Sequence, residues 1–158
     1  DRAVVASVSR NFFDTLGVAP MLGRGFSGEE ASPNGPVAVV ISHAAWERFF
    51  GGRGDVLSQT LSIEGVPYPV IGVMPPGFTY PREADLWGTF ERRETRNSSR
   101  TAHGFEVIGR LAPGANLASA QAELEAVTRS LHEIDPGMKS EGYGVRAVGV
   151  REVDVLRV

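Results

Sequence analysis

The chain has 158 residues, 42% hydrophobic and 22% charged, with 16 basic against 19 acidic side chains and a net charge of −3. That composition belongs to a globular domain long enough to bury a core, and it argues against a dedicated nucleic-acid binder, which concentrates a basic excess on one face. With no cysteine, a disulfide framework, thiolate catalysis and Cys-ligated zinc are all excluded. The longest aliphatic run, Val37-Ala38-Val39-Val40-Ile41, is far shorter than the roughly 20 residues a bilayer-spanning helix needs. Asp1-Arg2 runs straight into a strand-like stretch with no signal-peptide pattern, as expected of an excised piece or a mature fragment. Every cation but Lys139 is Arg, which genome composition explains before function does.

Ala3 to Val8 alternates loosely and is β-prone, so a first strand is expected. Asn11 to Gly17 reads as one or two helical turns, with Asn11 at the N-cap and Gly17 as a left-handed stop. Pro20 to Pro36 is loop-rich, and Ser27-Gly28-Glu29-Glu30 within it has the form of a capping box able to start a single turn. Val37 to Ile41 is a short apolar strand of the kind buried on both faces. Ser42 then caps a helix over Ala44 to Phe50, closed by Gly51-Gly52, with Ala45, Trp46, Phe49 and Phe50 on one side as core. A hairpin follows: Thr60 to Ile63, the turn Glu64-Gly65, then Tyr68 to Val73. Pro67 and Pro69 restrict the second strand to an edge, or confine its ladder to one side there. Met74-Pro75-Pro76-Gly77-Phe78 makes a rigid turn.

Arg82 to Thr101 is polar and reads as an exposed loop or a frayed helix. Phe105 to Leu111 is expected to be a strand, stopped by Pro113-Gly114. Asn116 caps the clearest helix, whose stripe of Leu117, Ala120, Leu124, Val127, Leu131 and Ile134 spans about five turns before Pro136-Gly137. A last strand is expected over Gly144 to Val150. This order makes an α+β domain, ending in a strand-helix-strand long enough for a crossover within one sheet.

Few residues carry a chemical signal. Gly23-Arg24-Gly25-Phe26-Ser27-Gly28 matches G-x-G-x-x-G, but Pro20-Met21-Leu22 stand before it and Pro33 ends any helix early, so it reads as a loop threading between packed elements. His43, His103 and His132 form no metal-ligand spacing, and His132 near a helix end suits the helix dipole. There is no G-x-S-x-G nucleophile elbow. Glu29-Glu30 and Glu123/Glu125 lie in a loop or on a solvated helix face. Neither setting gives the mutual burial that paired acid–base chemistry requires. Arg92, Arg93, Arg96 and Arg100 form the basic cluster, offset by Glu91 and Glu94. It reads as a solvated loop, with contact to a partner, an anion or a lipid headgroup as the functional alternative.

Several strings in order resemble one family. Val8-Ser9-Arg10-Asn11-Phe12-Phe13 through Leu16-Gly17-Val18, with Pro20 and Gly23-Arg24, resembles the opening of MacB-like periplasmic core domains. Val37 to Ser42 with Trp46 and Phe50-Gly51-Gly52, then Ile63-Glu64-Gly65, are similar to its next strings. Tyr68 to Phe78, Asp85-Leu86-Trp87 and Val107 to Gly114 complete the series. Ser58-Gln59-Thr60 departs from the family's usual glycine there, and Val153 to Val158 follows it loosely.

The resemblance implies a non-catalytic, cofactor-free extracytoplasmic domain of an ABC-type permease of the FtsX/MacB superfamily, at the outer face of the bacterial inner membrane. It implies two lobes: a porter-like α+β lobe of about residues 1–36 plus 101–158, and an inserted β-rich lobe of about 37–100. The implied partners are the permease's own transmembrane helices, a cytoplasmic ATP-binding subunit, and a periplasmic protein or cargo. Nucleic acid is not among them, and the isolated domain is expected to be monomeric. Related pumps move peptides, macrolides or lipoproteins, or regulate partners. Two rivals remain: a small hydrolase, which needs a buried His–carboxylate pair, and a stand-alone binding module, which needs a deep apolar pocket lined by residues such as Trp46 and Phe49.

Overall fold

In the computed structural model, residues 2–90, 106–134, 137, 142 and 144–150 are described. The chain divides into two compact units, Asp1–Ile108 and Gly109–Val158.

The first unit is built on a six-stranded mixed sheet. Its strands are β1 (Val5–Val8), β2 (Leu22–Gly23), β3 (Val39–Ile41), β4 (Thr60–Ile63), β5 (Val66–Val73) and β6 (Leu86–Thr89). Among the described residues two helices accompany them, α1 (Phe12–Leu16) and α2 (His43–Phe50), with a 3-10 turn at Val56–Ser58. Strand order is β1-β6-β3-β5-β2, and β4 pairs with β5 beside that path. β1 runs parallel to β6, and β3 parallel to β5, while the β3–β6, β2–β5 and β4–β5 pairs are antiparallel.

The centre of the sheet is apolar on both faces because β3 is covered on both. Val40 joins Val8, Phe12, Phe13, Met74, Ala84 and Trp87 on the α1 face. Val39 and Ile41 join Ala45, Val56, Val70, Val73 and Leu86 on the α2 face. Strand alternation produces this division, since successive side chains leave opposite faces. Trp46, Phe49 and Phe50 pack partly buried against the second cluster, with Ala45 fully buried beneath them.

Local signals explain most element ends. The Ser42 hydroxyl accepts the Ala45 N–H at 3.0 Å, and α2 ends on Gly51 in the left-handed conformation. α1 likewise ends on left-handed Gly17, although Asn11 makes no side-chain capping bond. Glu64 and Gly65 both have positive φ, the backbone of a two-residue hairpin turn whose twist matches its strands. Pro67 and Pro69 lie in the half of β5 that pairs only with β4, and the next half, Val70 to Val73, is flanked by β3 and β2. Proline's missing donor is therefore harmless where it falls.

Three expectations are corrected. Within the polar stretch from Arg82, β6 carries fully buried Leu86 and Trp87, so four residues with only two large apolar side chains form a strand between two neighbours. Residues 106–111 form no strand: without a ladder partner, β-propensity has nothing to act on, and Val107 is 93% exposed. Residues 144–149 are also outside any strand. Their backbone is held by a side chain instead, with the Gln121 amide donating to Val145 O at 3.1 Å and accepting the Ala147 N–H at 2.7 Å.

Segments 1–36 and 37–100, assigned to different lobes from sequence, supply hydrogen-bonded neighbours of one sheet. No boundary between packed bodies falls near residue 37. In the second unit, α3 (Leu117–Ile134) is capped by Asn116, whose Oδ1 accepts the Ser119 N–H at 2.9 Å. None of the side chains of α3 is buried. Pro136 lies outside the described residues.

Candidate functional site

The basic cluster Arg92, Arg93, Arg96 and Arg100 lies outside the described residues, as does His103. His43 meets Glu47 at 3.5 Å, but on an exposed turn of α2 where the carboxylate is 64% accessible. That is an i,i+4 surface pair and lacks the mutual burial a hydrolytic dyad requires. Glu123 and Glu125 are exposed on α3. Among the described residues no group of three or more His, Asp or Glu side chains could hold a metal ion.

The glycine-rich loop does structural work at close quarters. Gly23 and Gly72 oppose each other across β2 and β5. A Cβ on Gly23 would run into the Ile71 carbonyl, and one on Gly72 into that of Arg24. The loop beyond is clamped by Glu30, which is 4% exposed. Its carboxylate accepts Arg24 Nη2 at 2.6 Å, the Ser27 N–H at 2.7 Å and the Ser27 hydroxyl. The Arg24 hydrogen bond, against the opposing cost of burial, holds the Glu30 carboxyl down at about 2, and the Ser27 donors add to the effect. The Glu30 carbonyl also accepts Thr89 Oγ1 at 2.8 Å, tying the clamp to β6. Ser27-x-x-Glu30 thus makes the Glu-to-backbone half of a capping box without a helix following it.

The aromatic residues of separate sequence strings converge. Phe13 contacts Phe12, Phe26, Phe78 and Trp87 at ring-centroid distances of 5.4 to 6.1 Å. The Trp87 indole donates to the Tyr80 carbonyl at 3.0 Å. Beside it, Asp85 braces three elements. Its side chain accepts the Val4 N–H at 2.9 Å and meets Arg48 at 3.3 Å, and its carbonyl accepts the Ser42 N–H at 2.8 Å. Sequence reading missed Asp85 as an anchor because its partners Val4, Ser42 and Arg48 are distant in sequence, whereas for Glu30 only the Thr89 tie is distant and the Ser27-x-x-Glu30 spacing pointed to the Ser27 bonds.

A cavity of about 350 Å³ runs along β1 from Val4 to Ser9, floored by Asn11, Phe12 and Thr15 of the α1 region. Arg82 and Glu106 stand at its side, paired at 2.6 Å with both side chains more than half exposed. A smaller one, about 60 Å³, lies on the other face between β1, β3 and the hairpin. Trp46 and Phe49 line neither of these two.

These braced strings are the ones that mark a family. Residues 1–127 match the MacB-like periplasmic core domain, and the chain belongs to that family, a periplasmic domain of ABC transporter permeases. Among relatives, the probable syringafactin export ATP-binding/permease protein SyfD of Pseudomonas syringae pv. syringae (strain B728a) is 31% identical over 102 residues. That alignment covers 63% of this chain and 16% of the relative. The periplasmic region of MacB from Actinobacillus actinomycetemcomitans superposes with a TM-score of 0.56 at 20% identity, covering 82% of this chain and 56% of that one. The chain is therefore similar in fold to a MacB periplasmic region and spans only part of the length of each. The strings that mark the family supply core and braces, while no helix among the described residues is long and apolar enough to cross a membrane.

Proposed function

We propose that this chain is the non-catalytic extracytoplasmic domain of an ABC transporter permease and couples movement of membrane helices to export. The observation that carries the reading is the family match over residues 1–127. A relative named for syringafactin export supports the direction of transport. In this reading a cytoplasmic ATP-binding subunit hydrolyses ATP, and membrane helices pass the motion outward at the outer face of the inner membrane. The braced sheet suits a body that moves as one piece: Asp85 and Glu30 fasten loops to strands, so little displacement is absorbed by local deformation.

The role of Arg92, Arg93, Arg96 and Arg100 is part of the same proposal. Four guanidinium groups within nine positions suit an anionic group on a partner or cargo, through bidentate charge-assisted hydrogen bonds. Both ideas are tested by export of syringafactin, macrolide and peptide probes from cells carrying the full-length gene, with and without charge reversal of Arg92, Arg93 and Arg96. The expected result is export that depends on ATP and falls in the variant. Failure of the wild type to export any probe contradicts the transport reading. Export undiminished in the variant removes the cluster alone.

A further inference from the structure

The segment that leads into β1 is held before the strand begins. Asp85 grips both backbone groups of Val4: the Val4 N–H donates to Asp85 Oδ2 at 2.9 Å, and the Val4 carbonyl accepts the Asp85 N–H at 2.9 Å. Two residues earlier, the Arg2 carbonyl accepts Arg48 Nη2 at 3.4 Å. The same nitrogen stands 3.3 Å from Asp85 Oδ2. One guanidinium therefore joins residue 2 to the carboxylate that holds residue 4. Between them, Ala3 packs against the apolar cluster on the α2 face.

Both ends of α2 are tied to the same point. The Asp85 carbonyl accepts the N–H of Ser42, the residue that caps the helix. Arg48 lies in the last turn of α2, with its guanidinium carbon 4.3 Å from the centroid of the Phe49 ring. That cation–π contact holds the guanidinium in place, and Phe49 packs in turn against the α2-face cluster. The Asp85 side chain is 17% exposed, so water and salt screen its pairs less than those of a surface carboxylate. The ladder that follows, Val5 to Val8 against Leu86 to Thr89, fastens β1 to β6. Arg48 adds a direct tie from the entering chain to α2.

We infer that Arg48 is a positioning residue of the permease: through Arg2 and Asp85 it makes α2 follow displacement of the chain that enters β1. Motion arriving along that chain then moves α2 and the sheet together. Without the guanidinium, the short stretch of residues 2–4 bends and absorbs part of the displacement before it reaches the helix. The role belongs to a domain driven by membrane helices, so it rests on the transport reading.

The test uses the full-length gene product with its ATP-binding subunit in proteoliposomes, and reads export of the syringafactin, macrolide and peptide probes per ATP hydrolysed. Arg48→Met keeps a long stem over Phe49 and removes the charge. It is expected to lower that ratio roughly fivefold, the scale of a partly exposed charge pair, while ATP is hydrolysed at the wild-type rate. Arg48→Lys, which restores a charge beside Asp85, is expected to recover part of the loss. Amide exchange in the 158-residue chain separates coupling from folding. In Arg48→Met, Val4 should exchange faster, and Ala6 and Val8, whose backbone faces β6, should keep the wild-type rate. Export per ATP unchanged in Arg48→Met, beside an active wild type, overturns the inference alone. A fall in export with faster exchange at Ala6 and Val8 marks loss of the fold and overturns the positioning role. A wild type that exports no probe overturns the transport reading, and the inference falls with it.

Discussion

A carboxylate 4% exposed stays ionised only where donors stand in for water, and Glu30 has them in Arg24 and Ser27. Its folded value of about 2 lies below the ordinary 4.5. Folding is therefore favoured by the ionised form above about 4.5, and that contribution is lost as pH falls from 4.5 through about 2. Glu30→Gln keeps the shape and removes the charge, so it is expected to cost about 1–3 kcal/mol at neutral pH. The stability difference between wild type and variant should shrink across that acid window, read by denaturant unfolding at several pH values. A constant difference would mean that the clamp works by shape alone. From sequence, the Ser-x-x-Glu spacing pointed to the local half of this network, while the Arg24 pairing and the Thr89 tie depend on folding. Asp85 was invisible for the same reason, its partners Val4 and Arg48 being far away in the chain.

Among elements, two glycines separate conformational from steric need. Gly65 has φ +80 in the hairpin turn, and the space a Cβ would enter there is open, so Gly65→Ala meets backbone strain only, on the order of 1 kcal/mol. Gly23 combines φ +72 with backbone in the way. Gly23→Ala is expected to cost clearly more, about 2–4 kcal/mol, because β2 must separate from β5 to admit it. Thermal or denaturant unfolding of the two variants gives the order, and equal losses would contradict the close approach. The elements legible in the sequence were those with their own punctuation: Ser42 and Gly51 around α2, Glu64-Gly65 between β4 and β5, and Asn116 before α3. β6 was not legible, because its strand character comes from lying between β1 and β3. The segments at 106–111 and 144–149 erred the other way, having strand-like composition without a ladder.

For the whole molecule, the α+β class and the family were both readable, the family from strings that the structure gathers into one core. Phe12-Phe13, Phe78 and Trp87 lie far apart in the chain and meet around Phe13. What marks this chain is thus its packing, so function was readable only by kinship. Strand pairing joins in one sheet segments that sequence order separates, β1 and β2 with β3 to β6. The central claim is that this domain stands outside the inner membrane as part of a permease. Its most direct test is Val66→Cys, at an exposed hairpin position of a chain without cysteine, placed in the full-length gene product with any other cysteines removed. Cells with a permeabilised outer membrane and an intact inner one are treated with a membrane-impermeant maleimide. The account requires labelling in those cells, with the product in the membrane fraction. Labelling only after the inner membrane is broken would contradict it.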